Sequence, residues 1–496
     1  MAGNDILKLQ MALQPAGDDL KRKDLVFLLI LTFAALLIHG YHPYAEDAEI
    51  YLPGIEKLLH PELFPFNAQF FEPHAHATLF PRLIAASVRV SHLSLESALL
   101  VWQVISIFLL LLACWYLSAS CFVNRRARWG SVLMVTVLLT LPIAGTALYV
   151  MDQYLNPRNL CAFATIFAIV KTLNRELIQA GLFLIFSALI HPLMSAFAFS
   201  FCVLLLLMRA ERLRAFAALL PLGMSFAAVP SAYHEVMLRR TYFYVTQWQW
   251  YEWLGVIGPA AIFWWFGRIA RLREWHNVAW LCRTCVVFEI VYLVAALLLC
   301  LPGGLETLAR LQPMRSLYVV YVVFLVIAGG VLAEFVSKNQ AWRWLALFIP
   351  ISAGMFTAQR ALFAGNPHVE WPGIVVKNPW VEAFIWIRQN TPINAIFALD
   401  PAYATLPGED EQGFRAISRR SSMADDDKDS GAASMFPQLS VAWWTQLEAQ
   451  SGWSHFQLQD FRSLQSMYGV DWLVLQHDVP GLECPYQNGS VVVCRL

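Results

Sequence analysis

Long apolar runs alternate along this chain with short turns rich in arginine and lysine. That pattern fits a bundle of membrane helices and little else. Apolar stretches occur at residues 25–39, 95–123, 130–150, 160–170, 177–189, 194–208, 215–229, 254–266, 278–301, 317–335 and 345–363. A helix needs about 20 mostly apolar residues to cross the hydrocarbon core, so the pattern predicts about eleven spans. Composition agrees: 58% of the 496 residues are hydrophobic and 14% charged, against about 25% charged in soluble domains. The mean hydropathy is +0.52.

Every second turn is basic: Arg125, Arg126 and Arg128; Lys171 and Arg175; Arg209, Arg212 and Arg214; Arg268, Arg271 and Arg273; Lys338 and Arg343. Cytoplasmic loops carry such an excess, so these turns are assigned to the inner side. Residues 1–23 then form a cytoplasmic segment ahead of an uncleaved anchor, since no small-x-small cleavage site precedes Tyr41. Residues 24–364 form the transmembrane domain, and residues 365–496 lie outside. Zero formal net charge gives no support to a nucleic-acid partner, and no phosphate-binding glycine loop is present.

The first outer loop, within residues 41–94, is too polar to face lipid. It carries Glu46, Asp47 and Glu49, then Glu72, His74 and His76, then an amphipathic stretch at residues 78–92 suited to the interface. Such acids either cap the helix that follows or do chemistry. His74 and His76, two apart on an extended segment, would share a side and with Glu72 offer ligands to a divalent metal; ordinary hydrogen bonding is the alternative.

From residue 365 the composition becomes that of a soluble α/β domain. A helix is predicted at residues 380–389, strands at 395–399 and 472–476, a second helix at 457–468, and a hairpin at 484–496 around Asn488-Gly489. Cys484 and Cys494 bracket that hairpin and would pair in an oxidising compartment. Residues 419–433, RRSSMADDDKDSGAA, read as a polar mobile loop.

The acidic loop after the first membrane helix, the amphipathic stretch behind it, and the C-terminal runs WIRQNTP and YGVDWLVLQ resemble the GT-C superfamily of membrane glycosyltransferases. The resemblance implies transfer of a sugar from a polyprenyl-phosphate donor to a lipid, glycan or protein acceptor, at the outer face of a bacterial inner membrane. Asp47 matches the family's essential acid, but Glu-Asp-Ala-Glu departs from its Asp-Asp or Asp-Glu form. The base is therefore Glu46 or Asp47. Some members use a divalent metal, Mg or Mn.

Such a transfer needs positive charge on the departing phosphate. Arg315 and Arg158 sit near outer helix ends and Arg240 in a long outer aromatic loop, where they would bind phosphate or snorkel to headgroups. Asp152, His191, Tyr244 and Trp248 are candidates to line the cavity. Two other readings stay open: a transporter or lipid flippase, for which Glu289 in mid-span is the mark, and an inactive scaffold subunit of the same architecture.

Overall fold

The computed structural model describes residues 20–210, 230–300, 306–374 and 376–496. Its transmembrane half is built from α1 (Arg22–His39), α2 (Ala48–Leu59), α3 (Glu72–Ala77), α4 (Phe80–Ser91), α5 (Leu95–Cys121), α6 (Arg125–Val137), α7 (Pro157–Leu173), α8 (Leu177–Ile190), α9 (Pro192–Arg209), α10 (Ala232–Leu238), α11 (Trp250–Leu272), α12 (His276–Leu299), α13 (Leu317–Leu332) and α14 (Ala341–Leu362). Among the described residues, six helical stretches are long and apolar enough to cross a membrane: α5, α9, α11, α12, α14 and the run Thr307–Ser337 that contains α13. Residues 215–229 lie outside the described residues. The molecule is thus a polytopic helical membrane protein.

One departure from the sequence reading has a local cause. The span expected over residues 130–150 stops as helix at Val137, because Pro142 disfavours helical backbone at Leu141 and removes an amide. The chain instead turns back on itself, Ile143 N–H donating to the Leu148 carbonyl at 2.8 Å. Where α6 crosses α13, Gly130 and Gly329 face each other, and a Cβ on either would collide with the other's backbone. Small residues let membrane helices pack at that range.

The C-terminal part holds α15 (Pro379–Asn390), β1 (Ile396–Leu399), α16 (Phe414–Ser418), β2 (Ser421–Ser422), α17 (Lys428–Met435), α18 (Ser440–Ala449), α19 (Leu458–Tyr468), β3 (Trp472–Leu475), β4 (Glu483–Gln487) and β5 (Val492–Arg495). The strand order is β2-β1-β3-β5-β4. β1 runs parallel to β2 and β3, while β5 is antiparallel to β3 and β4. Strand side chains alternate between faces. Phe397, Leu399, Val474 and Val493 pack under Trp380, Phe384 and Ile387 of α15. Ala398, Leu473, Leu475 and Val492 pack under Phe461 and Leu464 of α19. A disulfide joins Cys484 to Cys494.

The loop expected over residues 419–433 is ordered and buried. Asp425, Lys428, Asp429 and Ser430 are each under 10% exposed. Six of its seven charged side chains form ion pairs with residues outside it, Glu46, Glu56, Arg239, Arg240 and Arg415, and Arg420 bonds to the carbonyls of Arg388 and Thr391, so its polarity marks internal pairing rather than exposure to solvent.

Candidate active site

A cavity of about 330 Å³ opens where the acidic loop, the ends of several membrane helices and α17 meet. That is within the range of roughly 300–1,000 Å³ found for small-molecule sites. Glu46, Asp47, His74, Asp152, Arg158, His191, Arg240 and Arg315 all line it. Tyr244 and Trp248 do not; Trp248 is buried and donates its indole N–H to the Tyr242 carbonyl at 3.1 Å, leaving Tyr242 to face the cavity.

Helix starts supply several of the lining residues. Asp47 precedes α2, Arg158 is the second residue of α7 behind Pro157, His191 precedes α9, and Lys428 opens α17. Arg315 lies on the tight turn Pro313–Ser316 that leads into α13. Unpaired N–H groups and the helix dipole make such ends favourable to anions.

Arg158 forks between two acids, with Nη1 on Asp47 Oδ2 at 2.9 Å and Nη2 on Asp152 Oδ2 at 3.0 Å. Asn156 donates to the same Asp152 oxygen at 2.6 Å, and Asn159 Oδ1 accepts from the Asp152 amide at 3.1 Å. Burial would raise the Asp47 carboxyl, but Arg158, Lys428 and Arg315 outweigh it and hold the group well below the usual carboxylate range.

The opposite wall belongs to the C-terminal part. Lys428 Nζ reaches Glu46 Oε2 at 2.6 Å and Asp427 Oδ2 at 2.9 Å. Asp427 also pairs with Arg240 at 3.2 Å, and Asp426 with Arg239 at 2.6 Å. Beneath them Arg415 binds Glu49 at 2.9 Å, Asp425 at 3.2 Å and Asp429 at 2.5 Å. Glu411 completes the wall beside Glu46, whose amide donates to the Glu411 carbonyl at 2.8 Å. Burial, then the neighbouring Glu46 carboxylate, push the Glu411 carboxyl up to about 9.

Sequence reasoning missed Lys428, Asp427, Glu411 and Gln312. The usable signal was the complementarity of Asp426-Asp427 to Arg239-Arg240, two adjacent acids facing two adjacent bases.

The metal proposed for Glu72, His74 and His76 loses its geometric basis. Those residues form α3 rather than an extended segment, and two residues apart on a helix point to different sides. Glu72 pairs with Lys57 at 3.2 Å, and His76 is exposed. His74 alone faces the cavity, with burial lowering it to about 4. Among the described residues no group of three or more His, Cys, Asp and Glu is placed to hold a metal ion.

No known protein family's sequence profile matches this chain, and no curated protein does. Among solved structures it is similar to the mycobacterial arabinofuranosyltransferase AftD, at 13% identity and a TM-score of 0.47. The match covers 96% of this chain and 40% of that one. At that distance the likeness carries no argument about function, which rests on the site.

Proposed function

We propose that this protein is a GT-C-type membrane glycosyltransferase that moves a sugar from a polyprenyl phosphate to an acceptor hydroxyl at the outer membrane face. One observation carries the reading: a carboxylate and several cations meet at converging helix starts, in a cavity beside apolar helices. Glycosyl transfer from a lipid phosphate needs that set, a group to take the acceptor's proton and positive charge on the leaving phosphate.

In the proposed reaction Asp47 takes the acceptor's proton and the acceptor oxygen attacks the anomeric carbon. The bond from that carbon to the phosphate oxygen breaks, and its electron pair leaves on the phosphate. Arg315, Arg158 and Arg240 bind the phosphate. Held by Arg158, Asp47 is a weak base; phosphate drawing Arg158 toward itself strengthens it. The proposal keeps about eleven spans, an inner N-terminus and outer residues 365–496, with α17 forming the acceptor-side wall.

The test is release of polyprenyl phosphate from a panel of polyprenyl-phosphate sugars by purified protein in lipid. Asp47→Asn and Glu46→Gln are run alongside, each with and without chelator. Loss in Asp47→Asn alone supports the assignment; loss in Glu46→Gln alone moves the base to Glu46; no release from any donor removes the reading. Transport stands second on a different observation. Glu289 of α12 is buried, and neither of its carboxyl oxygens has a partner, as expected of a coupling site. Substrate movement across vesicles, abolished by Glu289→Gln, would favour transport.

A further inference from the structure

One polar side chain in the cavity has most of its hydrogen-bonding capacity unspent. Gln312 is 6% exposed, and its Oε1 is buried without a partner. Its Nε2 donates only to the Met435 sulfur at 3.5 Å, a weak acceptor. Leaving such an amide unsatisfied forfeits its hydration with nothing in return. Native folds seldom retain that cost without a role for the group.

Local backbone aims it. Gln312 adopts a left-handed conformation, φ 48°, and Pro313 follows with its own φ fixed. The turn then bends so that the Arg315 amide donates back to the Gln312 carbonyl at 2.9 Å. Both side chains consequently enter one recess, shared with Thr146, Tyr242, Phe243 and Met314. There the Arg315 guanidinium lies 5.5 Å from the Tyr242 ring centre, its Nε is unbonded, and it has no ion pair among the described residues. The other cavity arginines, Arg158 and Arg240, are paired with carboxylates.

The two residues ask for different things. Arg315 wants an anion. Gln312 needs a donor for Oε1 as well as an acceptor for Nε2. A phosphodiester, the form in which a sugar-bearing lipid holds its phosphate, offers only acceptors and would leave Oε1 unmet. A hydroxyl offers both. The ligand that satisfies the turn is therefore an anion carrying a hydroxyl close by.

We propose that Gln312 is the specificity residue for the donor's sugar, gripping a ring hydroxyl while Arg315 holds the phosphate to which the sugar is attached. This rests on the glycosyl-transfer reading above and adds to it the residue that tells a sugar-bearing lipid from the spent carrier.

The test is binding, so it does not depend on turnover. Protein in nanodiscs is titrated with a sugar-free polyprenyl phosphate and with its hexose and pentose derivatives. The variants are Gln312→Met, which keeps length and an unbranched chain at the left-handed position, and Arg315→Met. Wild type should prefer a glycosylated lipid. Gln312→Met should weaken that lipid by roughly 3- to 10-fold while leaving the sugar-free lipid unchanged, the range expected for one net hydrogen bond. Arg315→Met should weaken both. Unchanged binding of the sugar-free lipid also reports an intact fold. A Gln312→Met protein that keeps the wild-type preference, or loses affinity for both lipids alike, overturns the assignment but leaves glycosyl transfer standing. Wild type binding neither lipid overturns both.

Discussion

Arg415 is the most heavily engaged cation in the described structure, and replacing it with methionine gives the sharpest test of how the cavity is held shut. It is 2% exposed and contacts three carboxylates at 2.5–3.2 Å. Unit charges at those separations attract by about 5–7 kcal/mol per pair at an effective dielectric near 20. Desolvation of the partners cancels much of that. Removing the cation reverses the balance: Glu49 keeps the amides of Arg415 and Ala416, and Asp425 and Asp429 keep backbone amides at the start of α17, but Asp425 and Asp429 lose the one cation paired with them among the described residues. Breaking a buried pair in this way costs about 3–5 kcal/mol. Because Asp425 and Asp429 frame α17, the loss should appear there first, as easier local opening. Hydrogen exchange of residues 428–435 should accelerate by more than about a hundredfold in Arg415→Met, since each 1.4 kcal/mol is a factor of ten. Arg415→Lys should recover only part of the protection, because an ammonium cannot fork across three acids. Exchange within tenfold of wild type in Arg415→Met would refute the reasoning and make the network incidental to α17.

Three further outcomes follow from the same geometry. Gly329→Val, which drives a side chain into Gly130, should lower stability in lipid by at least about 1–3 kcal/mol in thermal unfolding; an unchanged transition would mean the α6–α13 crossing is looser than described. His74, lowered to about 4 from 6.5 by burial, binds its proton in the unfolded chain before the folded one, so between those values stability must fall as the pH drops. The loss is at most about 3 kcal/mol, discounted because the ring is partly open; His74→Phe should flatten that slope, and an unaltered slope would place the titration elsewhere. In Arg158→Gln, the acidic limb of the pH–rate profile should move to higher pH as Asp47 loses its main counter-charge, and an unmoved limb would detach Asp47 from the titrating step.

The six long apolar helices were legible because lipid imposes a length and a composition on a spanning helix. Where context intervened, legibility failed. Pro142 is visible in the sequence, but that residues 138–156 leave helical form to carry Asp152 and Asn156 beneath Arg158 depends on packing. Residues 419–433 were misread because polarity alone does not distinguish a solvated loop from a buried one whose charges are nearly all in ion pairs. Their partners, Glu46, Arg239, Arg240 and Arg415, are either distant in sequence or outside the segment. Gln312 was invisible for a related reason: a glutamine carries no signal until its surroundings are seen to leave it unpaired.

The choice between Glu46 and Asp47, open in the sequence, narrows once their walls are known. The two are adjacent, yet they are drawn to opposite sides: Asp47 to Arg158 at the start of α7, Glu46 to Lys428 on α17. Glu46 sits in the left-handed region, φ 57°, a strain of the sort found at functional sites. Their partners differ in what an arriving anion can do to them. Lys428 is shared between Glu46 and Asp427, and a phosphate there would compete with two acids for one ammonium. Arg158 is a planar fork at a helix start, and Asp152 would continue to hold one nitrogen while the other turned to phosphate. On the proposed glycosyl-transfer reading, Asp47 is thus the carboxylate that donor binding itself would release, coupling the appearance of the base to the presence of the leaving group.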